Sequence, residues 1–361
     1  MRPLFFVLAL VWTGSSTKVG LLFMHGLSAS FDDTESLNFQ SYVEKNNSNV
    51  KVHLINAYNG YGSIAPLKEQ VDETLKKVKE IAKNYDKIIA VGHSQGGVIW
   101  RGMIENWDDH NVDTFITLAS PQHGVATFPK EFVDDNLDNF IDEVFALLPD
   151  KIEDSRLIQF IKKEVKFIFH GLLELGREEL TLDKIIALKS HHIIPNFMDL
   201  LVNRILSFAP LNYFVDSSHY EMYEKNINYF PDLNNEKHLY PWQFIKKSEA
   251  KKRKANFTRL RKLILIGGPQ DGVVVPWQSE LFGYFDQKGY TSDGKNILDM
   301  EETRYYKEDL FGLKTMDEDK KIKRHQVNNV THVEFHFHKT VMDSYVLPAV
   351  NETVNLKIAE N

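Results

Sequence analysis

A serine framed by two glycines is the pattern in this sequence with the clearest chemical meaning. Gly92, Ser94 and Gly96 lie between an apolar run at 87–91 and an apolar stretch at 98–107. A sharp turn from a buried strand into a helix would hold the serine hydroxyl above the sheet edge, near the positive end of the helix. Both glycines are needed because a Cβ at either position would crowd neighbouring backbone. The pattern predicts that Ser94 is a nucleophile.

The base and the acid that such a serine needs are expected further along the chain. Asp271 follows the apolar run at 262–266 in a turn-rich loop, and His332 follows a candidate strand at 322–327. In this type of site the acid precedes the histidine, and it orients the imidazole that takes the serine proton. Asp271 and His332 are therefore the predicted acid and base.

Three other histidines compete with His332 for the role of base: His325, His336 and His338. The last two are expected on the surface of a closing helix at 335–347. The run from His332 to His336 is not a zinc protease motif, because valine rather than glutamate follows the first histidine. The predicted chemistry needs no metal ion and no cofactor.

The oxyanion of an acyl-transfer intermediate needs two preset N–H donors. Gln95 follows the nucleophile directly, so its backbone N–H is the first expected donor. The second is expected in the loop after the first strand, where Gly26 lets the backbone pass close to the site and Leu27 supplies the N–H. His25 either contributes to this site or packs beneath the loop.

Short apolar runs that alternate with helix-like stretches predict the fold class. The candidate strands are the runs at 19–24, 50–56, 87–91, 114–118, 262–266 and 322–327, and apolar spacing predicts a helix over 67–85. The alternation indicates a mostly parallel central sheet flanked by helices and, with the serine turn, an α/β-hydrolase fold. Helix-like segments at 152–175 and 182–206 predict a helical lid, inserted at about 125–255 into a single domain at 17–361.

The first 16 residues have the features of a secretory signal peptide. Arg2 precedes a short apolar core at 4–12, and small residues at 13–16 suit cleavage. The core is too short to span a bilayer. Four glycosylation sequons agree with passage through the secretory pathway; they begin at Asn46, Asn256, Asn329 and Asn351. The mature protein is therefore expected in the lysosome or outside the cell.

Charge and composition exclude several other classes. A net charge of −7 argues against a general nucleic-acid binder. The absence of cysteine excludes a thiol nucleophile and cysteine-ligated metals. A basic run at 251–254, followed by Arg259, Arg261 and Lys262, is either a solvated helix face or a site of transient contact with anionic lipid headgroups.

Several of these segments together resemble the palmitoyl-protein thioesterases. The resemblance covers about 18–125 and 205–350. It begins with the residues at 24–27, the serine turn at 92–97 and the segment Ser120-Pro121-Gln122-His123-Gly124-Val125. Its most specific part is C-terminal, where 271–279 and 282–284 look like the acid loop of that family. The segments at 300–303 and 309–316 and the pair Thr331-His332 continue the match.

What this resemblance implies is hydrolysis of long-chain fatty acyl thioesters, mostly in lysosomes. The substrates would be S-palmitoylated proteins or peptides, or acyl-CoA. The resemblance also implies Ser94, Asp271 and His332 as the triad, with Leu27 and Gln95 as the oxyanion donors. The residues expected to contact substrate are His25, Gln122, Trp277 and Phe282, and Trp100 and Tyr213 are further candidates for the acyl groove. The family usually carries disulfides, which this chain cannot form.

Two other functions stay open at this point. A lipase or carboxylesterase would use the same triad on oxygen esters. A non-catalytic acyl-chain-binding protein could have the same fold. Such a protein often lacks one of the triad residues, whereas this sequence has all three. The expected state is a monomer.

Overall fold

The computed structural model describes residues 17–126, 229–236, 247–289 and 293–356. It also describes the isolated positions Gln159, Lys163, Asn212, Tyr213, Val215, Ser217, Ser218 and Thr291. The predicted signal peptide at 1–16 and the lid helix expected at 182–206 lie outside the described residues, as does the lid helix expected at 152–175 apart from Gln159 and Lys163. Among the described residues, no helix is long and apolar enough to cross a membrane.

A six-stranded parallel sheet forms the centre of the molecule. Its strands are β1 (Val19–Met24), β2 (Val50–Leu54), β3 (Lys87–His93), β4 (Val112–Leu118), β5 (Lys262–Gly267) and β8 (Ile322–Gln326), and β6 (Tyr284–Phe285) pairs separately with β7 (Ile297–Leu298). The order across the sheet is β2-β1-β3-β4-β5-β8. The chain therefore winds in opposite directions on the two sides of the β1–β3 pair, and such a switch point leaves a crevice at the carboxyl ends of the strands.

Helices cover both faces of this sheet. They are α1 (Thr34–Asn46), α2 (Leu67–Ala82), α3 (Gln95–Glu105), α4 (Phe230–Leu233), α5 (Lys247–Thr258), α6 (Arg304–Lys307), α7 (Leu313–Glu318), α8 (Lys339–Val341) and α9 (Leu347–Asn355), with a π-helical turn at Met342–Val346. Short 3₁₀ turns lie at Gly60–Ile64, Trp277–Leu281, Met300–Glu302 and His332–Glu334.

The alternation of side chains along the strands divides the core in two. In β1, Leu22 and Met24 pack on the face covered by α2 and α3. Leu21 and Phe23 pack on the opposite face, against α1 and the C-terminal helices. Because both faces are covered, the strands β1, β3 and β5 are nearly continuous apolar runs, which made them visible in the sequence, whereas the edge strands β2 and β8 carry polar side chains. The predicted α/β-hydrolase sheet is confirmed.

A buried arginine ties a described part of the insertion to the sheet. The guanidinium of Arg101, on α3, is fully buried and donates to the main-chain oxygen of Gln122 and to Oδ1 of Asn234. It is paired with Glu105 at 2.8 Å and lies over the ring of Phe311, 3.9 Å from its centroid. The segment at 229–236 is thereby held against α3. The described stretches of the predicted lid that have regular structure, α4 and α5, are helical.

The closing helix differs from its prediction. It was expected at 335–347, but a separate 3₁₀ turn forms at His332–Glu334 and the helical run begins only at Lys339. The carboxylate of Glu334 accepts the backbone N–H and the hydroxyl of Thr331, which closes the turn on itself. His336 consequently lies before the helix and is buried, with 7% of its surface exposed, so its expected surface position was wrong.

Candidate active site

The turn at Ser94 has the strained geometry that the sequence pattern predicts. Ser94 joins β3 to α3 with φ of 51° and ψ of −123°, a conformation that L-residues rarely adopt. A Cβ at Gly92 would lie 2.3 Å from the nitrogen of Gly97, and one at Gly96 would lie 2.1 Å from the oxygen of Met24. Only glycine fits at these two positions. The turn therefore presents the Ser94 hydroxyl at the amino end of α3.

Ser94, His332 and Asp271 form a continuous chain of hydrogen bonds. The hydroxyl of Ser94 lies 2.9 Å from Nε2 of His332. Nδ1 of His332 lies 2.6 Å from Oδ2 of Asp271 and donates to it, because a carboxylate can only accept. This arrangement leaves Nε2 free to take the serine proton.

The carboxylate of Asp271 is buried but well supplied with donors. Its Oδ1 accepts the backbone N–H groups of Val273 at 2.9 Å and Val274 at 2.7 Å. Burial by itself would raise the pKa of Asp271, but the facing imidazole of His332 and these hydrogen bonds hold the pKa below its usual value. Asp271 is thus ionised and can orient His332 and stabilise its protonated form.

The two predicted oxyanion donors flank the nucleophile. Gln95 is the first residue of α3, where a backbone N–H has no partner within the helix. The loop after β1 passes so close that a Cβ at Gly26 would lie 3.0 Å from Cβ of Ser94. Within the described part of the chain, the N–H of Leu27 makes no hydrogen bond. Both N–H groups are available to a developing oxyanion.

Two polar residues that the sequence did not single out support this pair. Ser63 accepts the N–H of Ser28 on its hydroxyl at 2.7 Å, and its main-chain oxygen accepts the side-chain amide of Gln95 at 2.7 Å. Gln70, on α2, accepts the same amide at 2.9 Å. Ser63 therefore links the oxyanion loop to the start of α3. Neither residue belongs to a motif, so nothing in the sequence marked them.

A stack of histidines lies behind the base. The ring of His93 lies 5.2 Å from that of His332 and 4.3 Å from that of His336, measured between centroids. Nε2 of His93 donates to the main-chain oxygen of His332 at 2.8 Å. Burial lowers the pKa of His336 to about 4 and that of His93 well below its usual value, so both rings are neutral supports. A further competitor, His325 on β8, packs against the ring of Tyr345.

The residues predicted to contact substrate are buried, with the exception of Trp277. His25 is buried beneath the oxyanion loop, with its ring nitrogens 2.9 Å from the oxygen of Gly26 and 3.0 Å from that of Ala57. Trp277 is partly exposed. The remaining candidates are almost fully buried in the core: Gln122, Phe282, Trp100 and Tyr213. A role for any of them in acyl binding stays a prediction.

The glycosylation sequons differ in accessibility. Asn46, Asn329 and Asn351 are exposed and stay predicted acceptors. Asn256 is buried, and its amide nitrogen donates to the main-chain oxygen of Glu105 and to Oδ1 of Asp108. A glycan on that nitrogen would replace one of these two donor hydrogens and would have to fit in a buried site, so the structure argues against Asn256 as an acceptor.

One group of side chains in the described part could in principle hold a metal ion. Single ligand atoms of Asp271, Glu280 and His332 lie within 4.8 Å of one another. Asp271 and His332 already share a hydrogen bond between Oδ2 and Nδ1. The arrangement thus suits proton transfer.

The fold and the site together define a class: an α/β-hydrolase with a serine, a histidine and an aspartate in hydrogen-bonded series. A family profile described as "Palmitoyl protein thioesterase" matches residues 20–332. The chain belongs to the palmitoyl protein thioesterase family, whose members are thioester hydrolases.

Relatives from three animals match most of the chain. Lysosomal thioesterase PPT2-B of Xenopus laevis is 28% identical over 342 residues, which cover 94% of this chain and 95% of the relative. Lysosomal thioesterase PPT2 of Homo sapiens is 28% identical, with 91% and 86% covered. A Drosophila melanogaster homolog of PPT2 is 26% identical, with 96% and 99% covered. Among solved structures, MenH from S. aureus aligns with 95% of this chain and 97% of its own at a TM-score of 0.40 and 10% identity.

Proposed function

We propose that this protein hydrolyses long-chain fatty acyl thioesters, with Ser94 as nucleophile, His332 as base and Asp271 as the orienting acid. The observation that carries the proposal is the hydrogen-bonded series from Ser94 through His332 to Asp271. It lies at the switch point of the sheet, in a member of the palmitoyl protein thioesterase family. A substrate bound at that crevice would meet nucleophile and oxyanion donors together.

The first half of the reaction forms an acyl-enzyme. Nε2 of His332 takes the proton as Ser94 Oγ attacks the thioester carbonyl. The negative charge that develops on the carbonyl oxygen is held by the N–H groups of Leu27 and Gln95. Collapse of this intermediate breaks the carbon–sulfur bond, and His332 returns its proton to the leaving thiolate.

The second half releases the fatty acid. Water, deprotonated by His332, attacks the Ser94 ester, and the same two N–H groups hold the second oxyanion. His332 then returns the proton to Ser94, which restores the starting state. The products are a thiol and a carboxylic acid, and no redox step or co-reactant is needed.

Substrates on this proposal are S-palmitoylated proteins or peptides, or acyl-CoA. Each methylene buried in an acyl groove stabilises binding by about 0.8 kcal/mol, which is about fourfold in affinity. Long chains should therefore be preferred until the groove is filled. The names of the relatives support a lysosomal location, reached through the predicted signal peptide, and we propose a single catalytic domain that acts as a monomer.

Contact between the basic run and a membrane finds little support in the structure. Lys252 pairs with Asp108, Arg253 with Asp232 and Glu249, and Lys254 with Asp309. These charges are largely satisfied within the protein, so the run is better explained as a paired helix surface.

The decisive experiment compares purified protein with Ser94→Ala on a palmitoyl thioester and on the matched oxygen ester. Ser41→Ala, an exposed change on α1, is the matched control and should keep full activity. Turnover of the thioester by the parent, lost in Ser94→Ala, is the expected result. Turnover of the oxygen ester alone would favour a lipase or carboxylesterase. Failure of Ser94 to react with a fluorophosphonate would favour a non-catalytic binding protein.

A further inference from the structure

A second carboxyl group lies directly behind the triad. Glu280, in the 3₁₀ turn Trp277–Leu281, is fully buried. Its Oε2 accepts the N–H of Gly268 at 2.9 Å. A Glu280 oxygen lies within 4.8 Å of an oxygen of Asp271 and of a ring nitrogen of His332. The glycine at 267 leaves space for this carboxyl group, because a Cβ at that position would lie 1.9 Å from Oε2 of Glu280.

The surroundings of Glu280 favour its neutral form. Among the described residues, the titratable groups that face it are Asp271 and His332, and no lysine or arginine is paired with it. Burial raises the pKa of Glu280 well above its usual value, and the negative charge of Asp271 raises it further. Its Oε1 is buried without a hydrogen-bond partner among the described residues, so no donor there would stabilise a negative charge on this oxygen.

Asp271 has room for one more donor. A carboxylate offers about four acceptor sites. Three are used by the N–H groups of Val273 and Val274 and by the imidazole of His332. An O–H donated by Glu280 would occupy the fourth acceptor site of the Asp271 carboxylate.

We propose that Glu280 is a positioning residue, a neutral carboxylic acid that donates its O–H to Asp271 and so limits the basicity of Asp271 towards His332. The proposal deepens the proposed function and rests on its triad. A carboxylate whose charge is shared among four donors attracts the imidazole proton less strongly. His332 therefore stays unprotonated, and active as a base, to lower pH than it would without Glu280.

The test uses two substitutions: one keeps both polar contacts of the side chain, and the other removes its donor to Asp271 together with its acceptor for the Gly268 N–H. Glu280→Gln keeps an oxygen for the N–H of Gly268 and supplies an N–H for Asp271. Glu280→Leu has a similar volume but no donor. Glu105→Gln, at another fully buried glutamate, is the matched control. The readout is the rate constant for labelling of Ser94 by a fluorophosphonate between pH 4 and pH 8, which reports the triad whatever the acyl substrate is.

Distinct outcomes support or overturn the proposal. We expect Glu280→Gln and Glu105→Gln to keep the acid limb of the parent profile. We expect Glu280→Leu to move it upward by roughly one pH unit, about tenfold in rate on the acid side. A downward shift in Glu280→Gln would show that Glu280 is ionised in the parent and would overturn the proposal, even if the leucine variant failed to fold. An equal loss at every pH in folded Glu280→Leu would overturn it as well, since only packing would then be affected.

Loss of the proposed function has a separate signature. A protein that labels with the fluorophosphonate but does not turn over palmitoyl thioesters would fail as a palmitoyl thioesterase. Its pH profile would still decide the role of Glu280.

Discussion

The substitution Asp271→Asn should separate orientation of His332 from the rest of the catalytic machinery. The amide oxygen of asparagine can still accept the N–H groups of Val273 and Val274, which now bind Oδ1. The amide nitrogen would then face Nδ1 of His332, which lies 2.6 Å from Oδ2 in the parent. Two N–H donors cannot share that contact, so His332 would take its proton on Nε2.

The cost of this change follows from the tautomer. With Nε2 protonated, His332 would donate to the Ser94 oxygen, now 2.9 Å away, and could not accept the serine proton. In serine hydrolases built on the same logic, the loss is on the order of 10⁴ in kcat. That ratio equals about 5.5 kcal/mol of transition-state stabilisation. The substitution leaves the oxyanion donors of Leu27 and Gln95 in place. The residual rate should therefore stay above that of the uncatalysed reaction.

The assay is kcat on a palmitoyl thioester, with circular dichroism and thermal unfolding to show that the variant is folded. Asp113→Asn is the matched control, because Asp113 is also a paired aspartate but lies at the opposite end of the sheet, against Arg261 and Lys87. It should change stability and leave kcat unaltered. A kcat for folded Asp271→Asn within about tenfold of the parent would refute the assigned role of Asp271.

Three further predictions test the oxyanion loop, the buried ring of His336 and the basic run at 251–254. Ser63→Ala removes the acceptor of the Ser28 N–H and should loosen the oxyanion loop, lowering kcat about tenfold with little change in KM; an unaltered kcat would contradict the role of Ser63. His336 has a pKa of about 4 in the folded protein against 6.5 in the unfolded chain, so the unfolded chain binds a proton first as the pH falls, and stability is lost. This linkage lowers the free energy of unfolding by about 2 kcal/mol between pH 7 and pH 5. Urea titrations at the two pH values should show that His336→Phe loses about 2 kcal/mol less than the parent protein. Lys252→Ala should leave hydrolysis of acyl thioesters in anionic vesicles unaltered, whereas a lysine in contact with lipid would contribute about fivefold.

The residues that the sequence predicted for the triad and the oxyanion loop share one property: each lies shortly after the end of a strand. Ser94 follows β3, and the loop with Leu27 follows β1. Asp271 lies in the turn after β5, and His332 lies shortly after β8. Buried parallel strands are visible as apolar runs, and their carboxyl ends meet at one edge of the sheet. The juxtaposition of these residues was therefore predictable without coordinates.

The parts that the sequence did not predict depend on contacts between distant segments. Glu280 looks like an ordinary exposed glutamate, since buried acids are rare. The helix α1 was not predicted because its sequence is largely polar. Only a few of its side chains, Phe39 and Val43 among them, are buried. Asn256 looks like an open sequon until α5 packs its amide against Glu105. In each case the neighbour, rather than the local sequence, decides burial.

The main chain explains why the strand ends are so informative. The sheet ladder continues past the regular strands: Ser94 N–H donates to the oxygen of Leu118, and Ala119 N–H donates to that of Ile266, both at 2.9 Å. His332 N–H then donates to the main-chain oxygen of Asp271 at 2.8 Å. Nucleophile, acid and base are therefore placed by backbone hydrogen bonds, which many side-chain combinations could support. The distribution of protons between Asp271 and His332 has a different origin, because the buried side chains around them determine it. Glu280 is the group among these side chains that a single substitution can test.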